Sequence, residues 1–447
     1  MARDMTKGRI MPQMTAFAIP LILGNLFQIL YNATDSIIVG QFVGDGALAA
    51  VGTAGPIMNM AILFISGMCM GAGILMSTLY GAKDMKNLEK QISTTLIGGL
   101  IFSMLIAFFM IVLAVPILRL INSPEEIIGS AAIYLRVVFL GLIFTFVYNF
   151  LANTLRALGD SKTPLYFLVI SAFLNVAGDL LFVVTLRLGV MGSAIATVLS
   201  EALCCICCGV YVKLKVPMLC LGKKWFVFER RILWRTFSYG ITSALQQMCV
   251  QLGKILVQAI INVQGVAFIA AFTAINRVDD FVLSPEGNIA HATTTFIAQN
   301  RGAGDVGRVK KGYRCGIIME IIFSAAVSVA VYFLAQPLMR LFVTEDSAEV
   351  VALGVSYLKL IAFMYIMPAL TNIVQGFFRG MGDLKVTLIS TITNMGVRVI
   401  AAHILISMMG KGFYALAWSN FWGWVFMLLL EVPLLVRNMV KLGRGEL

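Results

Sequence analysis

Residues 156–162 read RALGDSK and residues 379–385 read RGMGDLK, two versions of one turn set 223 positions apart. The relation extends along the chain. YLR at 134–136 returns as YLK at 357–359 at the same offset, while GAKD at 81–84 returns as GAGD at 302–305, and Pro116 with Arg119 returns as Pro337 with Arg340, at an offset of 221. A single two-residue insertion in the loop near Pro124 reconciles the two offsets. Self-similarity on this scale is the mark of an internal duplication. The repeated loops themselves read as turns, in which Gly supplies tight geometry and Arg or Lys holds a membrane boundary.

The duplicated unit is a membrane one. Of the residues, 60% are hydrophobic and 13% charged, well below the roughly 25% charged residues of soluble domains, and mean hydropathy is +0.91. Apolar runs of roughly 20 residues, enough to cross a bilayer as helices, recur from Thr15 to Val436. Their approximate limits are 12–40, 54–80, 93–118, 130–156, 164–186 and 189–212, then 235–262, 267–298, 314–338, 350–378, 386–408 and 412–436. The expected fold is therefore an all-α integral membrane protein of twelve transmembrane helices in two pseudo-symmetric six-helix bundles. The N-terminal lobe is 1–212, a cytoplasmic linker 213–235, and the C-terminal lobe 236–447. Six spans per half make the repeats parallel, and transporters built so bind substrate between their halves.

The net charge of +12 lies in short loops, which assigns it to topology rather than to nucleic-acid binding. Arg3, Lys7 and Arg9, then Lys83, Lys86 and Lys90, Arg156 and Lys162, the run from Lys213 to Arg235, the run from Arg301 to Arg314, Arg379 and Lys385, and Arg437, Lys441 and Arg444 fall on alternate loops. The positive-inside rule puts those loops, and both termini, in the cytoplasm. In a bacterium this is the inner membrane. The basic N-terminal segment leads directly into a long span and reads as uncleaved. The eight cysteines lie mostly inside apolar runs, as reduced thiols rather than a disulfide framework. Cys204, Cys205, Cys207 and Cys208 cluster without a histidine and read as small apolar residues. No GxxxxGK[ST] or HExxH motif occurs, so neither an enzyme nor an ATP-driven pump is expected, and no cofactor.

Polar residues interrupt the apolar spans in stripes. Asn25, Gln28, Asn32 and Asp35 share one face of the first span, and Pro20 on the same helix removes a backbone hydrogen bond and marks a bend or hinge. Gln247, Gln251, Lys254, Gln258 and Asn262 form a stripe on the seventh span; Arg277, Asp280 and His291 share a face of the eighth beside Asp279 and Glu286; Asn394 and Arg398 are one turn apart on the eleventh. Intramembrane ionisable groups point into bundles or wet cavities. A substrate cavity lined by Gln28, Asn32, Tyr134, Gln251, Lys254, Asp280, Glu286 and Arg398 is expected. A second reading of Lys254 and Arg398 pairs them with Glu286 or Asp280 as interhelical ties; removing a cation from such a buried pair costs roughly 3–5 kcal/mol.

FAIPLILGNLFQILYNATDSIIVGQFVG at 17–44, ALAAVG at 47–52, YGAKD at 80–84, RALGDSKTP at 156–164, FIAQNRGAGD at 296–305 and RGMGDLK at 379–385 together resemble the multidrug and toxic compound extrusion (MATE) family over essentially the full chain. The resemblance implies two six-helix bundles around a central cavity, alternating access, and export of cationic or amphipathic compounds driven by H+ or Na+ by a monomer. In one branch of that family a cation site is built from residues that correspond to Asp35, Asn175, Asp179 and Thr197. In another branch an acidic residue stands on the seventh span. Here that span, ITSALQQMCVQLGKILVQAIIN at 241–262, has no carboxylate. A lipid-linked saccharide flippase is the alternative, although such proteins usually have more spans and several cavity cations.

Overall fold

The computed structural model describes residues 4–121, 123–216, 219, 222, 226–342, 348–408 and 412–445, apart from the side chains of Asn32, Ala33, Ser36, Gly40, Asp45, Leu48, Ser407 and Met408. Among the described residues there is no β-strand. In lipid each backbone N–H and C=O must be satisfied within its own segment, which leaves the helix as the way to cross.

The helices are α1 (Ile10–Val43), α2 (Asp45–Gly81), α3 (Met85–Leu120), α4 (Glu125–Leu140), α5 (Leu142–Ala157), α6 (Lys162–Asp179), α7 (Gly189–Lys215), α8 (Arg230–Asn262), α9 (Val266–Gly302), α10 (Val306–Arg340), α11 (Ala348–Ala362), α12 (Ile366–Met381), α13 (Leu384–Ala402) and α14 (Tyr414–Arg444). Eight single helices, and the bent pairs α4–α5 (45°) and α11–α12 (55°), are long and apolar enough to cross a membrane. With each bent pair as one span, the described residues form twelve helical segments. The sequence limits 130–156 and 350–378 each enclose a bend. At the first, Gly141 lies so close to Val198 that an added Cβ would stand 2.6 Å from it. After the second, Pro368 lacks the N–H that would bond back into the preceding turn.

The duplication is visible in the irregularities as well. α6 runs on as a π-helical stretch at Leu180–Thr185, and α13 does the same at His403–Met408, again 223 residues later. The GAKD and GAGD loops end alike: Asp84 accepts from Asn87 N (3.1 Å) to cap α3, and Asp305 accepts from Arg308 N (2.8 Å) to cap α10. Hydrogen bonds from the Asn87 side chain and backbone hold the Asp84 carboxyl below its usual range. Its cap is therefore present at neutral pH and is lost only on acidification through that lowered value. For Asp305→Ala, loss of the cap should destabilise the protein by roughly 0.5–2 kcal/mol; an unchanged thermal midpoint in detergent would remove the capping role.

The chain folds as two compact units. One comprises residues 1–4 and 19–244 and is built around Ile65, Phe139, Phe146, Phe150 and Leu155. In it, α2 and α8 approach at backbone distance. A Cβ on Gly67 would stand 2.5 Å from Ala244 Cα, and one on Gly71 2.5 Å from the Tyr239 carbonyl carbon. This four-residue spacing of small residues drives helix association in lipid, where apolar burial gives no advantage over acyl chains.

The other unit comprises residues 5–18 and 245–447, with Phe272, Tyr365 and Phe413 in one cluster and Ile297, Phe377 and Phe378 in another. Gly376 and Gly380 bring α12 equally close to α9. The N-terminal segment is clasped here. Met5 N donates to Gln299 Oε1 (3.0 Å), and Arg308 donates to the carbonyls of Met5 and Gly8 (both 2.9 Å). Outside both cores, large apolar side chains such as Phe108, Phe109, Phe173 and Phe333 stand exposed, a surface that suits lipid and would be a liability in water.

Candidate functional site

In the first unit, α1, α6 and α7 bring the expected cation residues together. Asn175 and Asp179 are fully buried on successive turns of α6, while Asp35 on α1 and Thr197 on α7 are half-buried. Asp35 Oδ1 accepts from Ser193 Oγ at 2.9 Å. With the Asn175 amide oriented so that both of its atoms are satisfied, its nitrogen donates to Asp179 Oδ2 (3.0 Å) and its oxygen accepts from Thr197 Oγ1 (3.2 Å). The Asp35 and Asp179 carboxyls lie within hydrogen-bond reach of each other. Asp179 Oδ1 is buried without a donor. Two carboxyls so placed cannot both stay charged alone; they hold a proton between them or share a cation.

Around this pair stand Tyr31 and Glu201, which the sequence reading did not single out, and Tyr134, which it placed in the substrate cavity. Tyr31, one turn before Asp35, stands beside Thr197. Glu201, one turn after Thr197, accepts from Thr145 Oγ1. Buried Tyr134 lies in the electrostatic range of Asp35, Asp179 and Glu201. The signal for Tyr31 and Glu201 was available: each sits four residues from a recognised site residue, on the same helix face.

The repeat places a counterpart in the second unit with its charges rearranged. At the offset of 223, Asn175 corresponds to Arg398, Thr197 to Asn420, Tyr134 to Tyr357 and Asp179 to Ala402. Tyr357 accepts from Asn420 Nδ2 (2.8 Å) and donates to Asp279 Oδ2 (3.3 Å); Tyr365, at the α11–α12 break, donates to Asp279 Oδ1 (2.8 Å). Arg398 lies within electrostatic range of Asp279. Where the first unit keeps two carboxyls, the second has an acid held by two tyrosine hydroxyls with a cation in range.

Lys254 pairs with Asp280 at 3.0 Å, and both side chains stay partly exposed, at 38% and 46%. Glu286 is not their partner; it is fully buried, and both its oxygens lack a hydrogen bond. Gln28 is exposed and Gln251 half-buried, and the side chain of Asn32 lies outside the described residues. Pro20 sits inside α1, two residues beyond the segment that packs in the second unit. Two further carboxyls, Glu320 on α10 and Glu431 on α14, are fully buried. They were readable as intramembrane ionisable groups, but each stands alone in an apolar run rather than in a stripe.

Duplicated units of membrane-length helices, each with a polar site built from corresponding positions, define a polytopic membrane transporter. The MatE family model matches residues 20–181 and again 242–404. Two Bacillus subtilis relatives are similar over most of their length. The probable multidrug resistance protein YpnP is 31% identical, covering 89% of this chain and 88% of its own, and the probable multidrug resistance protein YoeA is 30% identical, covering 90% and 88%. Among solved structures, MATE in complex with MaL6 superposes with a TM-score of 0.93 at 23% identity, covering 99% of both chains. The outward-facing conformation of a multidrug resistance MATE family transporter gives 0.92 at 23% identity, covering 98% of both. The chain belongs to the MATE family of multidrug efflux transporters, which are not enzymes. The flippase alternative is not favoured by these likenesses.

Proposed function

We propose that the protein is a secondary antiporter that exports small organic or drug-like compounds across the bacterial inner membrane by alternating access. It exchanges them for H+ or Na+ at Asp35, Asn175, Asp179 and Thr197. The observation that carries this reading is the Asp35–Asp179 contact with its unpartnered, buried Asp179 oxygen. A proton neutralises one carboxyl and lets the other accept its hydrogen. A sodium ion is bound by both carboxylates with the Asn175 and Thr197 oxygens as neutral ligands. Either event removes negative charge from the site, changes how α1 packs against α6 and α7, and so biases α1 at Pro20.

Lys254, Asp280 and Gln251, which keep exposed surface, with Arg398, are the proposed substrate-facing residues of the second unit, and Gln28 that of the first; Glu286 and Tyr134, expected there from the sequence, are buried and fall outside the set. Because Lys254 and Asp280 are partly exposed, their pair contributes at most about 1 kcal/mol, well under the buried-pair figure. Lys254→Gln should leave the unfolding midpoint nearly unchanged and shift export away from anionic and zwitterionic compounds. Unfolding with unaltered substrate preference would remove the binding role.

The chain acts as a monomer with both termini cytoplasmic in this reading. Cells expressing the protein should export ethidium with a rate that saturates in ethidium and collapses when ionophores dissipate the ion gradients. Linear, gradient-independent flux would contradict antiport.

A further inference from the structure

We infer that Glu286 on α9 and Glu320 on α10 form a proton-binding site in the second unit, distinct from the Asp35–Asp179 site and selective for H+ over metal cations. Both side chains have no exposed surface, and all four of their carboxyl oxygens are buried without a hydrogen-bond partner. The two lie within electrostatic range of each other. Neither makes an ion pair among the described residues.

The groups that face them offer no compensating charge. Glu286 has the Asn372 side chain of α12 beside it, with Asp279 of its own helix and Tyr365 from the α11–α12 break in electrostatic range; Glu320 has Glu286 in electrostatic range. Two cations on the packed helices are engaged elsewhere. Lys359 of α11 lies over the Tyr332 ring of α10, Arg379 of α12 faces Glu431 of α14, and His291 follows on α9. A bare carboxylate in such surroundings is prohibitive, and the group takes up a proton instead.

The duplication shows that packing does not demand these acids. At the offset of 221, Glu286 corresponds to Ile65 and Glu320 to Gly99. In the first unit Ile65 is a core residue, and a Cβ on Gly99 would stand 2.1 Å from the Phe146 ring, so that ring occupies the room a side chain would need. One copy of the fold closes this place with apolar groups, and the other puts two carboxyls there.

The donor set selects the proton. Asp35 and Asp179 are joined by an amide and hydroxyls, as a hard cation needs; of the groups named around Glu286 and Glu320, Asn372 is an amide and the Tyr365 hydroxyl is already donated to Asp279. A desolvated metal ion takes about six oxygens, whereas a proton needs one.

Only the use of this proton in transport rests on the antiport reading. Infrared spectra of the full-length protein in proteoliposomes at neutral pH should contain the carbonyl stretch of un-ionised carboxylic acids. Glu286→Gln and Glu320→Gln should each diminish it, whereas Glu320→Asp should keep it. Ethidium efflux driven by a pH gradient should fall roughly tenfold or more in Glu320→Gln and recover in Glu320→Asp. A band unchanged in both Gln variants, or wild-type efflux from folded Glu320→Gln, overturns the inference. Absence of the band from the wild type does so even where a Gln variant fails to fold. Loss of the band in the Gln variants, with no gradient-driven efflux by the wild type, supports the proton site and removes antiport.

Discussion

Asp35→Asn and Asp179→Asn are each expected to abolish gradient-driven export, by roughly a hundredfold or more, while the protein still reaches the membrane in normal amounts. Asparagine keeps the shape of a protonated aspartic acid but cannot change charge. For Asp179 the substitution also supplies a donor where Oδ1 now has no partner, so folding should not suffer. For Asp35 the Ser193 hydrogen bond can still be made to the amide oxygen. Uptake or release of one cation is then impossible, and the two conformations of the cycle lose their link to the gradient. Efflux from energised cells at matched expression checks this. Wild-type rates from either variant would take the pair out of the mechanism.

The largest expected effect on folding is at Gly71. A Cβ there would stand 2.5 Å from the backbone of Tyr239, and backbone cannot move aside as a flexible side chain does. Gly71→Leu should separate α2 from α8 and cost about 1–3 kcal/mol or more, seen as a lower unfolding midpoint and reduced yield. Gly209→Leu on α7, where nothing lies within 4 Å of the added atom, is the control and should be near neutral. Equal midpoints for the two would show that the close approach is not required.

Much of the architecture was legible because lipid imposes one rule on every span, and because the turn motifs repeat at offsets that the helices and π-helical stretches also follow. The bends at Gly141 and near Pro368 were not, since an apolar run reads the same whether straight or broken. Of the proposed cation site, Asp35, Asn175, Asp179 and Thr197 were carried by resemblance, and the structure brings all four into one cluster. Ser193 escaped because one hydroxyl among many in a membrane helix carries no pattern. The partner of Lys254 was left open between Asp280 and Glu286. Helical spacing fixes faces but not depth, and only packing buries Glu286 completely while leaving Asp280 half in the open.

Coupling of export to a cation at the Asp35–Asp179 pair is open to measurement in a purified system. Its most direct test is ethidium efflux from proteoliposomes under an imposed pH gradient or an imposed sodium gradient, applied one at a time, with wild type and Asp35→Asn side by side. At least one gradient should drive efflux by the wild type, and the same gradient should drive none by Asp35→Asn. Equal efflux with and without gradients, or equal driven efflux by the two proteins, would contradict the coupling.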